Sequence, residues 1–274
     1  MPSLADISGK IRAQLDRLDA AREQALTASR QIIRQSADTI RAIHRGELAQ
    51  AQQALADTNK LVRETRSRLA DLPELAGAGF VQDAQKEHAE AQVTYALISG
   101  QELPDPELLG LDYAAFLNGM AETIGELRRH IVDSIRLGKL DRSEELLRAM
   151  DDIYYALVTF DYPDALTQGL RRRTDGVRSL IEATRADLTR ALRQQQLENA
   201  MRGLEHRVGP SAGSGSRACG PSDSAGAASS VSPAGHSALR RAGSRRRKPY
   251  GGRRPAGPPR AQPRGGSGPA SDAE

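Results

Sequence analysis

The chain has 274 residues and a net charge of +4, with aromatic residues at 3% and no tryptophan. The single cysteine, Cys219, excludes a disulfide framework within one chain and favours a reducing compartment, so we expect a cytoplasmic protein. No run of 18 apolar residues occurs, which argues against a membrane-spanning helix, and no secretory signal is recognisable at the N-terminus.

Six long helices are predicted within residues 1–205, which we interpret as one all-α domain. No proline occurs between Pro2 and Pro73, and no strand-like alternation is present. The predicted helices cover residues 3–45, 48–70, 79–99, 111–137, 142–159 and 164–201. Gly138 is expected to end the fourth helix and Asp141 to cap the fifth. Helices of this length with few aromatic side chains indicate a bundle that needs partner subunits to cover its faces.

A disordered tail is predicted for residues 206–274, where Gly, Pro and Ser account for 34 of 69 positions. Such a segment cannot bury enough apolar surface to offset its chain entropy. The tail carries 12 basic and 3 acidic residues, whereas residues 1–205 carry 27 basic and 32 acidic residues. The tail would therefore attract any polyanion without reading its sequence, unless it has no selected function.

Two glutamates of the predicted third helix lie at or beside its apolar stripe. Glu87 falls at the edge of that stripe, and Glu90 follows about one helical turn later. The stripe consists of Phe80, Ala84, Ala91, Tyr95 and Ile98. His88 points away from the side of the glutamates and is expected to be solvated. An ionised carboxylate beside a buried stripe needs a counter-charge, which singles out these two residues.

The predicted fourth helix carries a second pair of carboxylates. Glu122 and Glu126 lie opposite its apolar stripe, on a side where small residues would let another helix approach closely. Those small residues are Ala115, Gly119 and Gly125. If these sides of the two helices pack together, four carboxylates converge, and oxygen ligands without cysteine favour Mg²⁺, Mn²⁺ or Ca²⁺. The alternative is that all four glutamates are solvated.

Other catalytic chemistries find less support. A ferritin-like di-iron site needs Glu-x-x-His on two helices, but His130 follows Glu126 by four residues. His44 is interpreted as a helix-end residue, and Cys219 lies in the predicted tail. Neither a P-loop nor a G-x-G-x-x-G turn after a strand occurs, so no small-molecule cofactor is expected.

Two groups of arginines are candidate phosphate contacts, because guanidinium groups match the geometry of phosphate. The first group forms one basic face of the first helix and consists of Arg30, Arg34, Arg41 and Arg45. The second group is near the start of the sixth helix and consists of Arg171, Arg172 and Arg173. The alternative for both groups is an ordinary solvated helix face.

Several segments, in chain order, resemble the translin and translin-associated factor X (Trax) family. Residues 29–45, SRQIIRQSADTIRAIHR, are similar to its first-helix signature. Residues 82–100 resemble its Q-E-Y-x-E-A helix, with His88 where tyrosine is usual. Residues 111–157 resemble its D-Y-L-x-G-x-A-[DE]-x-x-G-E-L-x-R segment and the adjoining C-terminal stretch, and residues 157–175 resemble the microbial branch.

This resemblance implies an all-α fold of about seven helices that assembles as a closed, octamer-like barrel. It implies binding of RNA, and also of single-stranded DNA, inside that homo-oligomer. The Trax-type subunit is a Mg²⁺-dependent endoribonuclease, whereas translin-type subunits bind nucleic acid and lack the acidic set. The acidic positions of the family fall on Glu87, Glu90, Glu122 and Glu126. All four are acidic here, although Glu122 stands where the family often has Asp, so the chain resembles the catalytic type.

The sequence therefore predicts an endoribonuclease that cuts single-stranded or structured RNA inside an oligomeric shell. Glu87, Glu90 and Glu122 are the predicted catalytic residues and ligands of Mg²⁺ or Mn²⁺, with Glu126 as a fourth ligand or a neighbour of the ligands. Two alternatives stay open. One is a non-catalytic scaffold for single-stranded DNA or RNA, and the other is a helical assembly protein whose partner is another protein.

Overall fold

The structure is a computed structural model, and it describes residues 3–208. These residues form six long helices and three helices of a single turn, without a strand, which confirms the predicted all-α class. The elements are α1 (Leu4–His44), α2 (Leu48–Arg68), α3 (Pro73–Ala76), α4 (Gly79–Ser99), α5 (Pro106–Leu109), α6 (Tyr113–Arg136), α7 (Ser143–Leu157), α8 (Asp164–Thr167) and α9 (Leu170–Val208). No helix in this part of the chain is long and apolar enough to cross a membrane.

The predicted helix ends agree with the structure to within a few residues, except for the sixth predicted helix and the cap of the fifth. The sixth was expected to begin at residue 164, but residues 164–167 form the separate helix α8, and α9 begins at Leu170, after Gln168 and Gly169 in the left-handed conformation. Helix α9 continues to Val208, so it includes the first residues of the predicted tail, and the rest of that tail lies outside the described residues. Asp141 does not cap α7, because Arg142 occupies the N-cap position. The Arg142 guanidinium instead donates to the backbone oxygens of Ile98 and Leu97, at 2.6 and 3.2 Å. It thereby satisfies carbonyl groups at the end of α4 that have no partner within the helix.

Helix α4 is the central element of the bundle, since it packs against α1, α2 and α6, and α6 packs in turn against α7 and α9. Most of its residues are therefore buried, including His88, which was expected to be solvated. The principal core lies between these helices and includes Ile43, Ile124, Leu127, Ile131 and Met150, each at most 1% exposed. The position of α4 means that a polar side chain on almost any of its sides meets protein rather than water.

Helices α4 and α6 approach each other closely at Gly119. A Cβ atom at this position would lie 2.6 Å from the Cβ of Ala89, 2.7 Å from the backbone oxygen of Lys86 and 2.9 Å from the backbone nitrogen of Glu90. Backbone atoms cannot move aside cheaply, so only glycine fits here. This contact brings the two glutamate-bearing helix sides together, as the run of small residues on α6 predicts.

Replacing Gly119 by alanine is expected to destabilise the fold by about 2 kcal/mol, because the added methyl group forces α4 and α6 apart. The matched control is Gly125→Ala in the same helix, where nothing lies within 4 Å of the added Cβ. That control should be neutral or stabilising by up to about 1 kcal/mol, since alanine is the better helix former. Urea denaturation measures both changes, and equal effects of the two substitutions would contradict the close contact.

Candidate metal centre between helices α4 and α6

Three of the predicted glutamates converge where α4 packs on α6. Glu87 and Glu90 come from α4 and Glu122 comes from α6. Each offers one carboxylate oxygen, and these oxygens all lie within 4.8 Å of one another. Glu90 is buried, whereas the side chains of Glu87 and Glu122 keep 28% and 29% of their surface exposed. The three carboxylates therefore form an acidic cluster with a buried wall and an accessible side.

The carboxylate of Glu90 has an unusual environment. Only 8% of the surface of Glu90 is exposed, yet among the described residues no cationic side chain lies within 4 Å of its carboxylate. Burial raises the pKa of Glu90 to about 8, and the negative charges of Glu87, Glu122 and Glu126 add to this increase. Only Lys86 opposes the shift. Glu90 is thus the member of the cluster that gains most from a bound cation.

Lys86 supplies a positive charge inside the cluster. Its ammonium nitrogen lies 2.6 Å from Oε2 of Glu122 and 3.0 Å from Oε1 of Glu87. Burial lowers the pKa of Lys86, but the hydrogen bonds to Glu122 and Glu87 more than reverse this effect, so the pKa is raised overall. Lys86 therefore stays charged and bridges carboxylates of both helices.

Arg173 binds the same cluster from α9. Its Nε donates to Oε1 of Glu122 at 3.0 Å, and its Nη1 donates to the side-chain oxygen of Asn118 at 2.9 Å. Together with Lys86, it occupies both carboxylate oxygens of Glu122. Arg173 is a predicted phosphate contact, but in this structure its guanidinium is engaged by protein side chains.

Glu126 lies outside the group of three. Its Oε2 accepts a hydrogen bond from Nε2 of His44 at 2.5 Å and lies 3.7 Å from Arg129. The hydrogen bond from His44 lowers the pKa of Glu126, so this carboxylate stays ionised. His44 is the last residue of α1, as predicted, and it ties the end of that helix to α6. The role of Glu126 as a fourth ligand remains a prediction.

His88 lies within the core rather than at the site. Burial alone lowers its pKa to about 4, so the imidazole is neutral. Its Nε2 lies 3.2 Å from the side-chain nitrogen of Gln92, and its Nδ1 has no partner in the described structure. A neutral, buried imidazole at this position fills space next to the cluster without contributing charge to it.

The arginines of α1 are exposed but differ in their partners. Arg41 pairs with Asp38, and Arg45 pairs with Glu47 at 2.5 Å. Within residues 3–208, Arg30 and Arg34 have no acidic side chain within 4 Å. These two residues are therefore the members of the basic face with unengaged guanidinium groups.

Arg171 and Arg172 lie at the start of α9, on an open groove of about 810 Å³. The same groove is lined by three aspartates, and one of them lies 4.0 Å from Arg171. These aspartates are Asp161, Asp164 and Asp175. The charge along this groove is therefore mixed, which makes it a weaker phosphate site than three consecutive arginines suggest.

The acidic cluster fits a hard divalent cation. Its three converging oxygen ligands are the type that Mg²⁺ and Mn²⁺ prefer, and no cysteine lies within the described residues. Burial is the main cause of the raised pKa of Glu90, and the neighbouring carboxylates add to it, so a bound cation would oppose both effects. The sequence analysis does not identify Lys86 as part of the site. Its contact with Glu122 of α6 is a tertiary contact, and no local sequence signal predicts it.

Comparisons with known proteins find relatives of the chain both in sequence and in structure. No protein-family model matches it. It is 29% identical over 189 residues to the uncharacterised protein MJ0175 of Methanocaldococcus jannaschii, covering 68% of this chain and 83% of that protein. Among solved structures it is similar to AfC3PO, with 33% identity and a TM-score of 0.64 over 69% of this chain and 98% of that chain.

Two further solved structures extend this similarity. AfC3PO in its complex with duplex RNA is 32% identical, with a TM-score of 0.64 over 69% of this chain and 97% of that chain. The structure of apo-NeC3PO is 18% identical, with a TM-score of 0.62 over 70% of this chain and all of that chain. At this lower identity, the similarity to apo-NeC3PO shows a shared fold.

Proposed function

Because the chain belongs to the translin/Trax family, we propose that it is a divalent-metal-dependent endoribonuclease of the Trax type. The observation that carries this proposal is the convergence of three carboxylates within 4.8 Å, one of them buried without a cation beside it. A similar protein, AfC3PO, has been solved in complex with duplex RNA, which supports RNA as the substrate class. Single-stranded DNA remains a further predicted ligand, and a cytoplasmic location remains a prediction.

In the proposed mechanism, Glu87, Glu90 and Glu122 hold Mg²⁺ or Mn²⁺. When bound, the metal would polarise a phosphate oxygen of RNA and lower the pKa of the attacking water. One of the carboxylates would accept the proton of that water. Arg173 keeps Glu122 in place through its Nε, and the pair His44 and Glu126 fixes the neighbouring turn of α6. The rigid contact at Gly119 holds the two ligand-bearing helices in register.

We also propose that the chain acts as a closed homo-oligomer. Large apolar side chains are exposed at helical spacing on the N-terminal half of α1 and near the end of α9. They are Leu4, Ile7, Ile11 and Leu15 on α1, and Leu197, Met201 and Leu204 on α9. Exposed apolar stripes of this kind are typical of surfaces that bind other subunits.

Cleavage of a 5′-labelled RNA, single-stranded and duplex, with Mg²⁺ or with EDTA tests the proposal. We expect cutting only with metal, and products with 3′-hydroxyl and 5′-phosphate ends, because water is the nucleophile. Products with 2′,3′-cyclic phosphates would overturn this mechanism.

A non-catalytic scaffold for nucleic acid is the second candidate, and one observation favours it. Lys86 and Arg173 already occupy both oxygens of Glu122, so this carboxylate is satisfied without metal. Binding of RNA without any metal-dependent cleavage would select this function.

The unengaged arginines of α1 lead to a prediction about RNA affinity. Replacing Arg30 and Arg34 by glutamine is expected to reduce the slope of log K against log salt concentration by about 1 for each phosphate that the variant can no longer bind. Arg45→Gln is the control, because that guanidinium already pairs with Glu47. Fluorescence anisotropy at several salt concentrations measures the slopes. Unchanged slopes in the Arg30 and Arg34 variants would mark these residues as an ordinary solvated face.

A further inference from the structure

Lys86 differs from the other lysines of the described chain. Lys10, Lys60 and Lys139 are exposed, whereas the side chain of Lys86 keeps only 13% of its surface exposed. Its ammonium group lies among the proposed metal ligands, at 2.6 Å from Glu122 and 3.0 Å from Glu87. A long, flexible side chain loses rotamer freedom when it is held in this way, so the two ion pairs must compensate for that loss.

The backbone of Lys86 is fixed, but its ammonium group is not. The backbone oxygen of Lys86 is part of the tight contact with Gly119, which leaves no room for the helix to move there. The four-carbon side chain, in contrast, can swing its charged end away while the backbone stays in place. The lysine can therefore leave the carboxylates without any change in the α4–α6 packing.

A metal ion and the ammonium group need the same oxygens. Lys86 engages Oε1 of Glu87 and Oε2 of Glu122, and Arg173 holds the remaining oxygen of Glu122. Glu90 is the member of the cluster that no cation of the described chain contacts within 4 Å. A divalent ion could thus bind Glu90 while Lys86 stays in place. It could bind the oxygens of Glu87 and Glu122 that Lys86 contacts only if the ammonium group moved away.

We propose that Lys86 is the resident counter-ion of the carboxylate cluster, and that a divalent cation binds by displacing its ammonium group from Glu87 and Glu122. This inference rests on the proposed metal-dependent function. Lys86 keeps Glu87 and Glu122 together in the metal-free protein, since these two carboxylates would otherwise repel each other at this distance. Lys86 also lowers the affinity for the metal. The two ion pairs must break when the metal binds, and their free energy is lost from the net free energy of binding.

Titration of Mn²⁺ by isothermal calorimetry tests the competition. We expect Lys86→Met to bind Mn²⁺ about tenfold more tightly than the wild type, because one competing charge is gone. Lys86→Arg keeps the charge and should bind no more tightly than the wild type. Lys60→Met is the matched control, since Lys60 is an exposed lysine on α2, and it should not change the affinity. Equal or weaker binding by Lys86→Met would overturn the inference.

A second measurement uses the wild-type protein and does not depend on whether Lys86→Met folds. Brief acetylation followed by mass spectrometry reports how accessible each lysine amine is. We expect acetylation of Lys86 to rise several-fold when Mg²⁺ is added, while acetylation of Lys60 stays constant. A constant or decreased acetylation of Lys86 at saturating Mg²⁺ would show that the ammonium group is not displaced.

Failure of this inference can be distinguished from failure of the proposed function. The double variant Glu90→Gln, Glu122→Gln should lose the Mn²⁺ binding of the wild type if the cluster is the metal site. If this double variant binds Mn²⁺ as the wild type does, the metal lies elsewhere and both proposals fail. If it loses binding while Lys86→Met matches the wild type, only the role of Lys86 is wrong.

Discussion

Replacing Glu122 by glutamine is expected to reduce metal-dependent cleavage of RNA by a factor on the order of 10³, while RNA binding is retained. Glutamine has nearly the same shape, so the packing of α6 on α4 is kept, but it removes a negative charge from the ligand set. Glu122 also receives hydrogen bonds from Lys86 and Arg173, which the amide oxygen of glutamine can accept only in part. Cleavage at saturating Mg²⁺ and anisotropy of labelled RNA measure the two properties separately.

The matched comparison is Glu126→Gln on the same helix. Glu126 lies outside the group of three and is bound by His44, so we expect its replacement to reduce cleavage by no more than about tenfold. Equal losses in the two variants would make Glu126 a ligand as well, as the sequence predicts. Full activity of Glu122→Gln would remove Glu122 from the metal site.

The stability of the metal-free protein is expected to fall as the pH rises from about 4.5 to about 8, because of Glu90. Its ordinary pKa of 4.5 applies to the unfolded chain, and burial raises the pKa in the folded state to about 8. Between these values the unfolded chain has released the proton while the folded protein still holds it. Each pH unit then lowers the free energy of unfolding by up to about 1.4 kcal/mol. The contribution of Glu90 protonation to the free energy of unfolding is therefore fully present below pH 4.5 and is lost by about pH 8.

Glu90→Gln isolates this effect from the other titrating groups. The variant and the wild type should be similarly stable near pH 5. Near pH 8 the variant should be more stable by a few kcal/mol, because the wild type alone loses the stability linked to protonation of Glu90. Mg²⁺ favours ionised Glu90, so it should stabilise the wild type most at the higher pH and the variant much less. Urea denaturation in EDTA and in Mg²⁺ at several pH values measures these differences. Parallel pH profiles of the two proteins would show that Glu90 is not buried as described.

The helices and the position of the carboxylates could be predicted from the sequence because local signals control them. Glycine and proline end the helices, and Gly138 indeed follows the end of α6 with φ at +68°. Small residues at helical spacing predict that the glutamate-bearing sides of α4 and α6 pack together, and Gly119 provides that contact. The sequence also predicts four converging carboxylates, of which the structure brings three together.

The sequence could not reveal which partner each charged side chain selects. Lys86 precedes Glu87 directly, and neighbours in sequence do not face each other on an isolated helix. Its second contact, with Glu122, joins residues 36 positions apart, and Arg173 reaches Glu122 from 51 positions away. Likewise, the hydrogen bond between His44 and Glu126, which lies outside the cluster, joins residues 82 positions apart.

The sequence contains a signal for the burial of His88, but the position of His88 relative to the apolar stripe does not show it. Helix α4 carries small or apolar residues on nearly every side, which is typical of a helix surrounded by others rather than of one with a solvated face. The resemblance to the Q-E-Y-x-E-A motif points the same way, since His88 takes the place of an aromatic side chain. Both observations indicate a space-filling position.

Anomalous diffraction from crystals grown with Mn²⁺ tests most directly whether the three glutamates hold a divalent cation. We expect one strong Mn²⁺ peak, with carboxylate oxygens of Glu87, Glu90 and Glu122 about 2 Å from the ion and the Lys86 ammonium group moved away. A cluster without such a peak at saturating Mn²⁺, with Lys86 still bridging Glu87 and Glu122, would contradict the account. The carboxylates would then be a structural ion-pair network, and the protein would bind nucleic acid without cutting it.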